Sequence, residues 1–197
     1  MKFIHDFIIF LLAFLSLALA SPVANPVADH NSAVAELIDT EIKTAEVSAV
    51  EAAPGAVTIV NHLRVPVYLW SVDTHQGPMI TLEPMWGAHK ESYRFSPNPN
   101  GGVSIKIAAG TPDINNVLQF EYTRTNDKVF RDMSTINLRP GSEFVRHAFA
   151  LIPGDMSNCP MVECRSDDCP GVYHKPNDDH ATYGCPVGVD MMLMLGY

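Results

Sequence analysis

Residues 166 to 186, SDDCPGVYHKPNDDHATYGCP, hold two cysteines, two histidines, four aspartates and three prolines. Imidazole and carboxylate at His174, His180, Asp178 and Asp179 could bind a divalent metal. Paired carboxyls could carry out acid–base work. Cys169 and Cys185 could instead staple the loop through disulfides.

The metal reading has a spacing in its favour, because Cys164 and Cys169 are followed by His174 and His180 much as zinc-finger ligands follow one another. Only four residues separate Cys169 from His174, however, against the roughly 12 that let a finger fold around its ion. Exposed histidines in a polar loop usually bind nothing in particular. We therefore expect no metal and no other cofactor, with His174 and His180 as the pair to examine. Nucleophilic hydrolysis lacks its motif, since no Gly-x-Ser-x-Gly elbow occurs.

The chain begins MKFIHDFIIFLLAFLSLALASP, a lysine followed by an apolar run and then Ala18-Leu19-Ala20. This pattern predicts a secretory signal peptide over 1–20, with the mature chain starting at Ser21. That terminus disfavours a copper monooxygenase built on an N-terminal histidine. Removing Lys2 and Asp6 leaves 12 basic and 21 acidic residues, so the net charge stays at −9. Such a charge argues against nucleic acid or an anionic membrane surface as partner. The apolar C-terminal GVDMMLMLGY is short and lacks the polar spacer of a lipid-anchor signal. A soluble, secreted monomer is expected.

Residues 21 to 55 contain no aromatic residue and are rich in Ala, Val, Glu, Pro and Ser, which suits a flexible linker or propeptide. From Ala56 the texture changes. VTIVNHLRVPVYLW, VSIKIA, LQFEYT and VFRDMSTINL are apolar or alternating, and SPNPNGG and RPG separate them as turns. In LQFEYT, Leu118, Phe120 and Tyr122 alternate with Gln119, Glu121 and Thr123, as in a half-buried strand. Residues 56 to 197 suffice for one all-β sandwich domain with its own core.

All four cysteines, Cys159, Cys164, Cys169 and Cys185, lie in the last 39 residues. In an exported chain they predict two disulfides, for which three connectivities are open. Bridging Cys159 to Cys185 would contribute about 3 kcal/mol through loop closure, and bridging Cys164 to Cys169 less.

CPGVYHKPNDDHATYGCP resembles the thaumatin-like segment that reads Cys-Pro-Asp-Ala-Tyr, then Asp-Asp, then Thr-x-x-Cys-Pro. VTIVNHLRVPVYLWSV is similar to that family's opening strands. LQFEYTRTNDKVFRDMSTIN is similar to its Leu-Ala-Glu-Phe and Phe-Tyr-Asp-x-Ser strands, with Phe130, Asp132 and Ser134 in place. Plant members carry many more cysteines, one of them where this chain has Leu63. The nearest resemblance is to the fungal family named after the Blastomyces yeast-phase-specific protein. It implies a thaumatin-like β-sandwich with a small C-terminal disulfide-stapled region, paired Cys159–Cys185 and Cys164–Cys169.

The resemblance also implies an acidic cleft associated with β-1,3-glucan. Asp132 matches one cleft acid, and Asp178 or Asp179 the late one. The family glutamate falls on Gln119, another acid falls on Asn137, and the cleft arginine has no counterpart around Lys106 to Ala109. Glu121, two residues along the strand from Gln119, lies on the same face and is the substitute. Glu121 and Asp132 are thus the candidate catalytic pair, and Asp132, Glu121, Asp178 and Asp179 the candidate binding residues. Adjacent aspartates after Pro-Asn also suit a turn in which their oxygens satisfy backbone donors. Trp70, Trp86, Tyr68 and Tyr93 could stack on sugar rings. Trp70, in an apolar strand, is expected in the core, and Trp86, beside Gly87, in a loop.

The function expected is non-enzymatic: an extracellular or wall-associated fungal protein binding β-1,3-glucan or another wall polysaccharide. A weak endo-β-1,3-glucanase is the first alternative. A secreted effector or antigen that binds a protein partner is the second.

Overall fold

The structure, a computed structural model, describes residues 53 to 197. The expected signal peptide and all but the end of the expected linker lie outside the described residues. Just ahead of Ala56, Gly55 is buried, donates to Val187 O at 2.8 Å, and accepts from Tyr93 N at 3.0 Å.

Eleven strands follow: β1 (Ala56–Asn61), β2 (Val67–Val72), β3 (Ile80–Leu82), β4 (Ala88–Ser92), β5 (Val103–Ala109), β6 (Leu118–Arg124), β7 (Lys128–Ser134), β8 (Phe149–Pro153), β9 (Val162–Cys164), β10 (Tyr183–Pro186) and β11 (Met191–Leu195). One turn of helix, α1 (Glu143–Arg146), precedes β8, and the Ser142 side chain caps it by accepting from Val145 N. The strands form a five-stranded sheet in the order β4-β1-β11-β8-β9 and a six-stranded sheet in the order β10-β7-β6-β5-β2-β3. All pairings are antiparallel except β1 with β11.

The alternation in the sequence explains the sandwich. In β5, Val103, Ile105 and Ile107 are buried while Ser104 and Lys106 are not, and β6 likewise buries Leu118, Phe120 and Tyr122. These side chains share one core with Val57, Ile59, Leu151 and Leu193 of the other sheet. VTIVNHLRVPVYLW is divided between the sheets. It breaks before Pro66, which has no N–H for a ladder, so its first half is β1 and its second half β2.

Asn61, wholly buried at that break, holds the crossing. Its Nδ2 donates to Val65 O at 3.0 Å, Leu82 O at 3.2 Å and Glu83 O at 3.0 Å, while its Oδ1 accepts from Leu63 N at 2.9 Å. The apolar C-terminal run has a plain structural reason. As β11 it lies centrally between β1 and β8, with Met191, Leu193 and Leu195 buried.

Trp70 is buried, as expected for a core residue, at 6% exposed, in a second, smaller core cluster with Ala108 and Val117. It shares a cross-strand position with Lys106, on the face of the six-stranded sheet turned away from the main core. Alternation along β2 sends Leu69 inward and Trp70 outward.

Candidate binding cleft

Strand register places the functional side chains. On the outward face of the six-stranded sheet, one row runs Val72–Ser104–Glu121–Asp132 across β2, β5, β6 and β7. The next row runs Trp70–Lys106–Gln119–Ser134. The first row is the floor of an open cleft of about 440 Å³, whose walls include Asp73, Gly102, Phe130 and Thr182. Gly102 is needed there, since a Cβ would fall 2.7 Å from Tyr122 O and 2.9 Å from Thr123 Oγ1.

Glu121 and Asp132 are directly opposed, which puts their Cβ atoms about 4.5–5.5 Å apart. Asp132 Oδ1 is buried and has no hydrogen-bond partner. Desolvation first, and the neighbouring Glu121 second, push the Asp132 carboxyl up to about 7, against a smaller opposing pull from Arg131. Asp73 shifts the other way. The backbone N–H of His75 and the Arg94 guanidinium hold it below the usual aspartate range, with Arg94 Nη2 3.0 Å from its Oδ2. Arg94 also pairs with Glu91 behind the cleft wall.

The second row is a polar network. Lys106 Nζ donates to Gln119 Oε1 at 2.8 Å, Ser104 Oγ donates to the same oxygen at 3.3 Å, and Gln119 Nε2 donates to Asn137 Oδ1 at 3.2 Å. The two positions at which the family acids are replaced by amides therefore meet, and a lysine bonds to one of them.

The late aspartates lie apart from this floor. Asp178, a cleft candidate whose setting also suits a turn, caps its own loop: its Oδ2 accepts from His174 N at 2.9 Å and Lys175 N at 3.1 Å. The first of these bonds is the main reason its carboxyl is held below the usual range. Asp179 opens a short 3-10 turn, Asp179–Ala181, and accepts from Tyr173 Oη at 3.2 Å. That hydroxyl is also 2.7 Å from Thr182 Oγ1, so Asp179 touches the rim only through Tyr173 and Thr182.

His174 is tied into the loop as well. Its Nδ1 is 2.9 Å from Thr135 Oγ1, and its Nε2 is 3.0 Å from Cys169 O. His180 is exposed on the 3-10 turn. No group of three or more metal-ligating side chains occurs among the described residues. The disulfides join Cys159 to Cys185 and Cys164 to Cys169.

Of the aromatic candidates, Tyr93 and Trp70 are buried, and Tyr68, half-buried, packs against the Trp70 cluster. Trp86 is 83% exposed on the turn between β3 and β4. Two aromatics line the cleft, Tyr122, which is buried, and Phe130, which is 41% exposed. Sequence reasoning named Phe130 only as part of a strand motif and omitted Ser104, Asp73 and Thr182. Alternation would have put Phe130 on the face of Asp132, but the neighbours across strands depend on register.

The sequence model described as Blastomyces yeast-phase-specific protein matches residues 44–196. The chain belongs to this family. A secreted thaumatin-like protein of Emericella nidulans is 38% identical over 169 residues, covering 82% of this chain and 96% of the relative. An antigenic thaumatin-like protein of Arthroderma benhamiae is 40% identical over 144 residues, covering 72% of this chain and 70% of the relative. A protein elicitor from Magnaporthe oryzae has a similar crystal structure, with a TM-score of 0.58 and 22% identity, covering 73% of this chain and 99% of that one. At that identity the likeness speaks for the fold, and the fold of this yeast-phase-specific family member is thaumatin-like. Its secreted relative supports export of this chain.

Proposed function

We infer that this thaumatin-like protein binds a wall polysaccharide through the cleft without cleaving it. The observation that carries the reading is the adjacent pair Glu121 and Asp132 on the floor of an open cleft walled by Phe130. Carboxyl oxygens accept from sugar hydroxyls, and an exposed aromatic edge or face covers a pyranose ring. Hydrolysis needs two carboxyls on either side of the scissile bond. Here both rise from neighbouring strands of one floor, which suits gripping a chain lying across them.

Pull-down on insoluble β-1,3-glucan tests this. The wild type is expected in the pellet, and Glu121→Gln with Asp132→Asn in the supernatant. A wild type that stays in the supernatant removes the glucan reading. One observation favours a second reading, a weak endo-β-1,3-glucanase: Asp132 is raised to about 7, as a general acid requires, beside Glu121. Reducing sugar released from the same pellet, and abolished by Glu121→Gln, would establish it.

A further inference from the structure

We propose that the far end of β2 from the cleft carries a second binding site, built for an acidic polysaccharide whose sugars bear carboxylates. This site shares no residue with the cleft.

Four stretches meet there: the β1–β2 crossing, the β3–β4 turn, the junction of α1 with β8, and the residues after β11. Between them lies a pocket of about 320 Å³, within the range of small-ligand sites.

The charge of this pocket opposes that of the chain. In a protein of net charge −9, the pocket is lined by His62, Arg64 and His147 and by no aspartate or glutamate. Nearby acids are engaged: Glu143 lies 3.3 Å from His147 and 3.4 Å from Arg146, and Glu163 pairs with Arg165 and accepts from Tyr197 Oη. Arg64 is exposed and makes no ion pair among the described residues. A guanidinium, always charged and forked, is the group that takes a carboxylate through two parallel bonds.

The backbone adds an independent sign. Among the described residues, the non-glycine residues with left-handed backbone are Met85, at φ 69°, and Ala148, at φ 63°. Both stand at this pocket: Met85 lines it, and Ala148 follows His147, its carbonyl accepting from Gly196 N at 2.9 Å. Such conformations cost energy for a residue with a Cβ, and they collect at functional sites. At Met85 the strained turn holds the next residue, Trp86, 83% exposed. The turn is also pinned. Met85 N donates to Leu63 O at 2.9 Å, Asn61 Nδ2 donates to Glu83 O at 3.0 Å, and a Cβ at Gly87 would fall 2.4 Å from Glu83 N. Arg64 and Trp86 therefore sit on two segments bonded to each other.

A peptide brings its carboxylates on flexible stems. A uronic acid brings one fixed to a ring with an apolar face, which is what an unpaired guanidinium and an indole on a pinned turn match. Arg64 takes the carboxylate of one sugar, and Trp86 covers the ring of its neighbour in the chain.

Calorimetric titration of the full protein with three hexamers tests the proposal: α-1,4-galacturonic acid, its fully methyl-esterified form, and glutamic acid. The galacturonate hexamer should bind at least tenfold tighter than either of the others. Its affinity should fall about tenfold in Arg64→Gln and in Trp86→Ala, both with the melting temperature of the wild type. Lys128→Gln, an equal loss of charge at another exposed position, should bind it as the wild type does, and so should Glu121→Gln with Asp132→Asn.

Equal or tighter binding of the methyl ester overturns the recognition of charge. Equal or tighter binding of the glutamate hexamer overturns the sugar class and makes the surface one for an acidic protein segment. Undiminished binding in Arg64→Gln, or an equal loss in Lys128→Gln, overturns the site. If no hexamer binds, the proposal falls, while the glucan reading of the cleft stands on its own pull-down. The comparison of hexamers uses wild-type protein alone, so it holds even where a variant misfolds.

Discussion

Asp132 shows how far a single side chain can set the behaviour of the protein. Its carboxyl titrates near 7 when folded and near 3.9 in an unfolded chain. Between those values the folded state holds a proton that the unfolded state has lost, so stability falls as pH rises from about 4 to about 7 and is level above. The full effect is on the order of 4 kcal/mol. Asp132→Asn should therefore raise the melting temperature most at pH 8 and little at pH 4.5, as calorimetry at the two values would record. Asn61 is the opposite case, a buried polar group with all its partners. Asn61→Ala takes a donor from Val65 O and Leu82 O and the acceptor from Leu63 N, while Glu83 O keeps its bond from Gly87 N, and denaturant unfolding should show a loss of about 3 kcal/mol. That Glu121 shares the outward face with Gln119 was legible, because strand alternation decides a face. For Asp178 the sequence offered both cap and cleft, because both demand the same residue, and loop geometry shows which donors it meets.

At the scale of elements, the cysteine bridges show what spacing can and cannot tell. Cys185 lies in β10, at the edge of the six-stranded sheet, and Cys159 lies just before β9 of the other sheet. Their bond therefore ties the two layers together, while Cys164–Cys169 closes a short loop. Replacing Cys159 and Cys185 by alanine should cost about 3 kcal/mol, and replacing Cys164 and Cys169 about 2 kcal/mol; paired denaturant melts of the two variants would rank them. The strands themselves were legible from period-two alternation and turn residues. Their order was not, since β1 and β11 pair across nearly the whole domain, and no local pattern carries so distant a pairing. The same gap hid the cleft. Ser104, Glu121 and Asp132 come from three strands, and register alone makes them neighbours.

For the molecule as a whole, the acidic balance of −9 makes its encounters with other charged surfaces depend on ionic strength, whereas the apolar core between the sheets is indifferent to it. The position of β11 matters in another way. It is among the last stretches of the domain to be synthesised, yet it fills the middle of the five-stranded sheet, parallel to β1 and antiparallel to β8. Until it arrives, β1 and β8 each present an open edge. A polypeptide made from its N-terminus must therefore hold those edges exposed until β11 has emerged. Synthesis halted after Asp190 should yield a chain that stays protease-sensitive and chaperone-bound, and supplying residues 191–197 in the same chain should release it. Closure of the five-stranded sheet thus waits on β11, the checkpoint of its assembly.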